Sequence, residues 1–398
     1  MGETPLERWR RYRALTAGEA LPCALVDLDA FEANARALAR LLAGTGKTLR
    51  IATKSVRCPD LVRRAKEAVG PAARGLMTYT AAETAFWAEQ GERDLLLAYP
   101  VARPDDAGLV ARANVGGTTA AVVADSREHL DGLAAAARSA GAVVPVVLEL
   151  DVAWRPLGAV HVGVHRSPLR DASDVVALAR RVNATEGLRF RGVMAYEAQI
   201  AGVGDTGAAV RALKEVSRRD VEKARRAVDE ALREAGLAPA VFNGGGTGTV
   251  ASCSHESVLT EVTAGSGFLD SHLFDAYRGL SLEPAAYFAL AVVRRPREGI
   301  VTCHGGGYVA SGGAGPDRLP VPALPPGLRL RSLAGAGEVQ TPLELGRGVE
   351  LTVGDPVFFR HAKAGELAEH FPEYLLVRGA RIEARAPTYR GLGRCFLG

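Results

Sequence analysis

A chain of 398 residues is too long for one small domain, and a barrel of about 250 residues with a second domain of about 100 is its natural partition. Hydrophobic residues make up 47% and charged residues 24%, ordinary globular values that exclude a fibrous repeat or long disordered arms. The 49 basic and 45 acidic residues leave +4, and the basic residues are scattered instead of gathered in a stripe, so nucleic acid is not an expected partner.

No apolar run approaches the ~18 residues of a membrane span, and the N-terminus lacks the apolar core of a signal peptide. The expectation is a cytoplasmic protein with no membrane contact. Five cysteines, at 23, 58, 253, 303 and 395, are an odd number without CxxC spacing and are expected as reduced thiols.

In chain order, the arginine-rich run Arg8, Arg10, Arg11 and Arg13 around Trp9 and Tyr12 predicts a short leading helix with a solvated face. Residues 1–26 are expected as an N-terminal segment whose last residues add a strand to a β-domain. From residue 27, short apolar runs alternate with helical patterns, the signature of parallel βα units. Phe31, Ala35, Leu38 and Leu42 share one helical face, with Asp29 placed as N-cap, and Pro59-Asp60 opens the next helix. The candidate strands are Leu49–Thr53, Leu76–Thr80, Asp94–Tyr99, Ala120–Ala124, Val143–Leu150, Leu188–Tyr196, Ala240–Asn243 and Leu259–Ala264. Eight such units predict a (β/α)8 TIM barrel over residues 27–280.

Beyond residue 280 the texture becomes β-rich, with candidate strands Tyr287–Arg294, Ile300–Cys303, Val349–Leu351, Val357–Arg360 and Tyr374–Val377. Glycine clusters and the Pro-rich stretch Leu319–Pro326 are read as loops, and Glu338–Thr341 as a surface turn. The fold class is therefore α/β, a TIM barrel with a C-terminal mostly-β domain at 281–398.

Barrel enzymes place their chemistry at the C-terminal strand ends and often bind phosphate with the loops after strands seven and eight. Those loops are Asn243-Gly244-Gly245-Gly246-Thr247-Gly248-Thr249 and Gly265-Ser266-Gly267. Unshielded backbone amides with the hydroxyls of Thr247 and Ser266 predict a phosphate cup. Across the same rim Lys54 closes the first barrel strand, with Arg50, Ala52 and Lys54 alternating onto one side. A lysine partly removed from water loses proton affinity, and its neutral amine can attack an aldehyde.

The stretch Leu21-Pro22 through Val26-Asp27-Leu28-Asp29, the strand end Ala52-Thr53-Lys54-Ser55, the Gly244–Thr249 loop and the Glu261–Gly267 segment resemble fold-type III enzymes of the alanine racemase type that use pyridoxal 5'-phosphate (PLP). The nearest branch is that of D-threonine aldolase and D-serine dehydratase. The resemblance spans essentially the whole chain and implies PLP as cofactor, carried by Lys54 as a Schiff base. It also implies phosphate held by the two glycine loops and a homodimer with sites at its interface. It places Arg166 and Tyr196 near the pyridine ring. Arg155, in the Asp151–Gly158 stretch, rivals Arg166, and a loop salt bridge is the plain alternative for Arg166.

Two departures touch the chemistry. Relatives pair a C-terminal histidine with a Cys or Asp two positions later to hold a divalent metal, whereas this chain has His361-Ala362-Lys363, and a protonated lysine donates and does not ligate. Gln199 stands near a position where relatives often carry histidine. The resemblance thus implies a PLP-dependent lyase, aldolase or dehydratase, acting on a small β-hydroxy-α-amino acid of D configuration. No metal is expected, and His361 or Lys363 is expected to contact the β-hydroxyl. An amino-acid racemase and a non-catalytic PLP carrier are the alternatives.

Overall fold

The computed structural model describes residues 3–156 and 160–397. In chain order the elements are α1 (Pro5–Leu15), β1 (Cys23–Asp27), α2 (Leu28–Arg40), β2 (Thr48–Ala52), α3 (Pro59–Val69), β3 (Ala73–Thr78), α4 (Ala81–Glu89), β4 (Asp94–Leu97), α5 (Pro104–Ala113), β5 (Thr119–Ala124), α6 (Arg127–Ala140), β6 (Val144–Glu149) and α7 (Ala172–Ala184). They continue with β7 (Leu188–Met194), α8 (Ala198–Ala201), α9 (Ala208–Glu234), β8 (Val241–Gly244), α10 (Val250–Cys253), β9 (Glu261–Ala264) and α11 (Ser266–Leu269). The β-rich part holds β10 (Ala286–Arg297), β11 (Ile300–His304), β12 (Val321–Leu324), β13 (Leu328–Leu330), β14 (Gln340–Leu345), β15 (Pro356–Arg360), β16 (Glu373–Arg378) and β17 (Arg381–Pro387).

Strands β2 to β9 pair in sequence order and close into a barrel, as the eight apolar runs predict. Closure comes from the parallel pairing of β2 with β9, Thr48 opposite Glu261 and Ile51 opposite Ala264. That register makes the turn bearing Lys54 and the loop bearing Ser266 leave the barrel side by side. The interior contains an ionic cluster: Arg50, 1% exposed, donates two hydrogen bonds to Glu261 at 2.7 and 2.8 Å and one to Asp94 at 3.1 Å. Three donors directed at two carboxylates keep that buried charge satisfied.

The second sheet has nine strands, with the path β13-β14-β11-β10-β1-β16-β17 and β12 and β15 branching from β10. Strand β1 lies antiparallel to β10 and parallel to β16, so the first and last parts of the chain share this sheet. Helix α1 is fixed by a capping box between Thr4 and Glu7. Its inner face is not solvated: Trp9 donates to the carbonyl of Pro356 at 3.0 Å and Tyr12 to Asp27 at 2.7 Å.

Several local expectations are corrected. Asp27, not Asp29, caps α2, accepting hydrogen bonds from the amides of Asp29 and Ala30. Val349–Leu351 is not a strand, and Leu351 is apolar because it plugs the core from a loop. Inside the Pro-rich stretch, Val321–Leu324 is a strand that, among the described residues, pairs only with β15, an edge position where proline is tolerated. The Glu338–Thr341 turn leads into β14, and Thr341 is fully buried. Strands β13 and β17 were not anticipated either.

Candidate active site

Strand β2 ends at Ala52 and the chain turns through one 3-10 turn, Thr53–Ser55, that projects Lys54 at the mouth. Thr53 donates to the carbonyl of Met77 at 2.9 Å, and the hydroxyls of Ser55 and Ser266 lie 3.1 Å apart, so both flanks of Lys54 are fixed to the barrel. Arg57 has φ +51, a conformation non-glycine residues rarely adopt. Its Nε donates to the Lys54 carbonyl at 3.0 Å and its Nη1 to Glu369 at 2.5 Å, contacts that hold the unusual backbone in place.

Lys54 is exposed toward the open mouth. Protein nevertheless surrounds its amine closely enough that desolvation is the largest cause lowering its pKa, followed by the charges of Arg166, Lys363 and Arg57. The first two of those cations were predicted as site residues, and the structure brings both to the lysine. Arg57 was missed because its role rests on a backbone angle that no sequence pattern shows.

Arg166 pairs with Glu149 at 2.5 Å, and its guanidinium lies 5.7 Å from the ring centroid of Tyr196 and 5.8 Å from that of Tyr99. Glu149 closes β6 and Tyr196 follows β7, so both belong to the same rim. Burial, then the neighbouring Glu197, push the Tyr196 phenol up to about 12, so it is a donor at neutral pH. Arg155 instead turns back onto Asp151 and the carbonyl of Ala153. Leu157 and Gly158 of that stretch lie outside the described residues. Gln199 is buried and donates to the carbonyl of Val152 at 2.8 Å and to Ser217 at 3.1 Å.

The two glycine loops face each other and are stitched together, with the Gly267 amide donating to the Thr247 hydroxyl at 3.0 Å. The expected cup is narrower than the sequence suggests. The Gly245 amide donates to Glu197 at 3.2 Å and the Gly246 amide to Thr249 at 3.0 Å, while the Asn243 side chain donates to Glu261 and Thr263. Gly244 ends β8 and has no room for a side chain, because a Cβ there would lie 2.6 Å from Nη2 of Arg225. A Cβ on Gly265 would sit 2.6 Å from the Ala52 carbonyl, so this glycine serves close packing. The amides of Thr247 and Ser266 make no hydrogen bond among the described residues, and they open the 3-10 turn after β8 and the short helix α11.

The β-domain reaches this rim through its 361–369 segment. Lys363 is partly buried and its ammonium donates to the carbonyl and hydroxyl oxygens of Ser311, at 3.0 and 3.3 Å. It forms no ion pair among the described residues, whereas Arg57 and Arg166 are each paired with a carboxylate. His361 is only 3% exposed, and neither ring nitrogen has a hydrogen-bond partner. Burial, then the charges of Arg360 and His272, bring its pKa down to about 3, so the ring is neutral. A contact between His361 and a substrate hydroxyl is therefore not what the geometry favours, since Lys363 is the group that reaches the mouth. The family's metal position is a poor fit here: Lys363, a cation without a carboxylate partner among the described residues, stands two residues after the neutral His361, where a second anionic ligand is needed, while Arg360 is paired with Asp270 and Asp275.

A closed eight-stranded parallel barrel, a lysine at its mouth and a β-domain built from both chain ends define the alanine racemase-like class of α/β proteins. The sequence profile described as "Alanine racemase, N-terminal domain" matches residues 26–269, and the chain belongs to that family. Among curated proteins, 3-hydroxy-D-aspartate aldolase of Paracoccus denitrificans (strain Pd 1222) is 28% identical over 251 residues, 63% of this chain and 60% of that protein. D-threonine aldolase of Arthrobacter sp is also 28% identical over 251 residues, covering 63% of this chain and 61% of its own. The matched region thus spans about 60% of the length of these relatives. Among solved structures, D-threonine aldolase from Filomicrobium marinum superposes with a TM-score of 0.81 at 22% identity, covering 94% of this chain and 95% of that one. D-threo-3-hydroxyaspartate dehydratase from Delftia sp. HT23 gives 0.75 at 20% identity, covering 93% and 97%. These two structural likenesses establish the shared fold across both domains.

Proposed function

We propose that this protein is a PLP-dependent lyase acting on a small β-hydroxy-α-amino acid of D configuration, either cleaving it to an aldehyde and a smaller amino acid or converting it to a keto acid and ammonia. The observation that carries this reading is Lys54, an amine of lowered proton affinity beside two stitched loops that offer uncommitted amides at Thr247 and Ser266. That donor set fits a phosphorylated aldehyde. The names of the aligned relatives support the β-hydroxy class and the D configuration.

When bound, the cofactor supplies an electron sink for the bond broken at the substrate's α-carbon. Lys54 would hold it through its amine and would be the group placed to move a proton at that carbon. Thr247 and Ser266 would hold its phosphate, and Arg166, braced by Glu149, and Tyr196 would hold its ring. Lys363 contacts the β-hydroxyl or the carboxylate, its charge supplying electrostatic help without a metal.

The working unit in this reading is a cytoplasmic homodimer. An open apolar depression of about 500 Å³, lined in part by Val162, Val164, Val203, Val210 and Leu213, lies beside the Arg166 and Tyr196 loops. A carrier role leaves the packing of the β-domain onto the Lys54 turn unexplained. A racemase needs a second base opposite Lys54, for which a partner tyrosine is the usual source.

The test is borohydride reduction of the holo-protein with peptide mapping, alongside a panel of D- and L-β-hydroxy amino acids assayed for keto acids, aldehydes and inverted enantiomers. The expected outcome is cofactor fixed on Lys54 and product from D substrates only. Labelling elsewhere, or inversion without bond cleavage, overturns the proposal.

A further inference from the structure

Behind the glycine loop after β8 lies a buried ionic cluster that the chemistry above does not use. Glu197 directly follows Tyr196 and is 1% exposed. Its carboxylate accepts hydrogen bonds from the Gly245 amide at 3.2 Å and the Thr249 hydroxyl at 2.5 Å, and Cys253 lies 3.4 Å away. Thr249 in turn accepts from the Gly246 amide at 3.0 Å. Arg225, fully buried on α9, pairs closely with Glu197, donates to Glu256 at 2.7 and 2.8 Å and reaches the carbonyl of Ala195.

We infer that Glu197, neutralised by Arg225, is the positioning residue that sets the Gly245–Thr249 loop for phosphate, and that it thereby gives the protein its preference for the phosphorylated cofactor over the unphosphorylated aldehyde. This rests on the cofactor reading above. A glycine loop has little stiffness of its own, and a loop ordered only on binding loses affinity to the entropy of ordering. Here one carboxylate takes the Gly245 amide directly and the Gly246 amide through Thr249. That fixes the backbone from which the Thr247 amide, and the Thr247 hydroxyl joined to the facing loop, are presented. A carboxylate beside an anion site is tolerable only if its charge is compensated; Arg225 is bound to it from behind, and burial pushes the Glu256 carboxyl that shares this arginine toward its neutral form. Burial opposes ionisation of Glu197, yet Arg225, Thr249 and the Gly245 amide outweigh burial and hold its pKa below the usual carboxylate value.

The experiment titrates apo-protein with PLP and, separately, with pyridoxal, which lacks only the phosphate, for the wild type, Glu197→Gln and Thr249→Val. Thr249→Val removes one link without changing charge and keeps the test alive if Glu197→Gln does not fold. The expected result is PLP binding weakened about tenfold or more in each folded variant, the scale of one charge-assisted hydrogen bond, with pyridoxal affinity unchanged within about twofold. Equal losses for both ligands show a merely structural role and overturn the inference. So does an unchanged PLP to pyridoxal ratio in folded variants of a PLP-binding wild type. A wild type that binds neither aldehyde defeats the cofactor reading itself, and this inference with it.

Discussion

A Cβ added to Gly365 would lie 2.0 Å from the carbonyl oxygen of Lys54. The β-domain loop therefore lies flat against the turn that carries the lysine, and Gly365 also holds φ +89, where an L side chain is strained. Gly365→Ala should destabilise the protein by about 3 kcal/mol and loosen cofactor binding, because either the loop or the Lys54 turn must move. Denaturant unfolding and PLP titration read the two effects. Wild-type values for both would show that the loop stands clear of the turn.

The lowered pKa of Lys54 sets a pH dependence for cofactor attachment. Only the neutral amine attacks the aldehyde, so attachment to apo-protein speeds up as pH rises through that pKa and then levels off. Lys363→Met removes one of the cations that disfavour the protonated amine. The Lys54 pKa then rises, a smaller fraction is neutral at a given pH, and the rate profile moves to higher pH. A stopped-flow profile superimposable on the wild type would place Lys363 too far away to matter.

Glu83 is fully buried in α4, accepting from the Tyr389 hydroxyl at 2.6 Å and the Tyr79 amide at 3.0 Å. Burial pushes its carboxyl up to about 7, and the hydrogen bonds from Tyr389 and its other neighbours only partly offset that. The folded form thus binds the proton more tightly than the unfolded chain. Its stabilising contribution is complete below the ordinary glutamate value and is lost as pH rises toward about 7. Relative to Glu83→Gln, the wild type should lose on the order of 3 kcal/mol between pH 4.5 and 8. Parallel unfolding curves for the two proteins across that range would remove Glu83 as the cause.

The barrel was legible because parallel strands, most of them buried along nearly their whole length, are written as apolar runs separated by helical patterns. The strand-end lysine and the two glycine loops were legible because barrel topology puts them on one rim. What escaped was set by contacts between distant residues. Glu197 stood in plain view after Tyr196, but its partner Arg225 lies on α9 and looks like any helix-surface arginine until α9 packs. Edge strand β12 was hidden by Pro322 and Pro325, residues that pattern reading assigns to loops. His361 looked like a site residue from its neighbours in the chain, although its burial is decided by packing around Arg360 and His272.

The proposed dimer should respond to charge placed in the apolar depression beside the Arg166 loop. Val203 and Leu213 are 41% and 36% exposed there, and burying a carboxylate against apolar surface is strongly unfavourable. Val203→Asp with Leu213→Asp should sediment as a monomer with lost turnover and an unchanged fold. A doubly substituted protein that remains dimeric would move the interface elsewhere.

The last prediction is that activity does not depend on a tightly bound divalent metal. A metal polarising the substrate's β-hydroxyl needs lone pairs aimed at it from at least two sides. His361 offers neutral imidazole nitrogens without partners, but Lys363 stands two residues on with its ammonium on Ser311, and Arg360 precedes it. Lys363, without a carboxylate partner among the described residues, raises the electrostatic cost of bringing a dication to His361, whereas the charge of Arg360 is offset by Asp270 and Asp275. Lys363 already places a positive charge near the mouth, where it stabilises developing negative charge on a substrate oxygen. Protein dialysed against chelator should therefore carry far less than one zinc or manganese per chain and keep its turnover. Lys363→Met should lose turnover that added metal does not restore, while Lys363→Asp exchanges the ammonium for a ligand and should gain metal affinity. Stoichiometric metal surviving dialysis, with activity lost in chelator and recovered with that ion, would show that His361 finds its second ligand elsewhere and that Lys363 does not stand in for the metal.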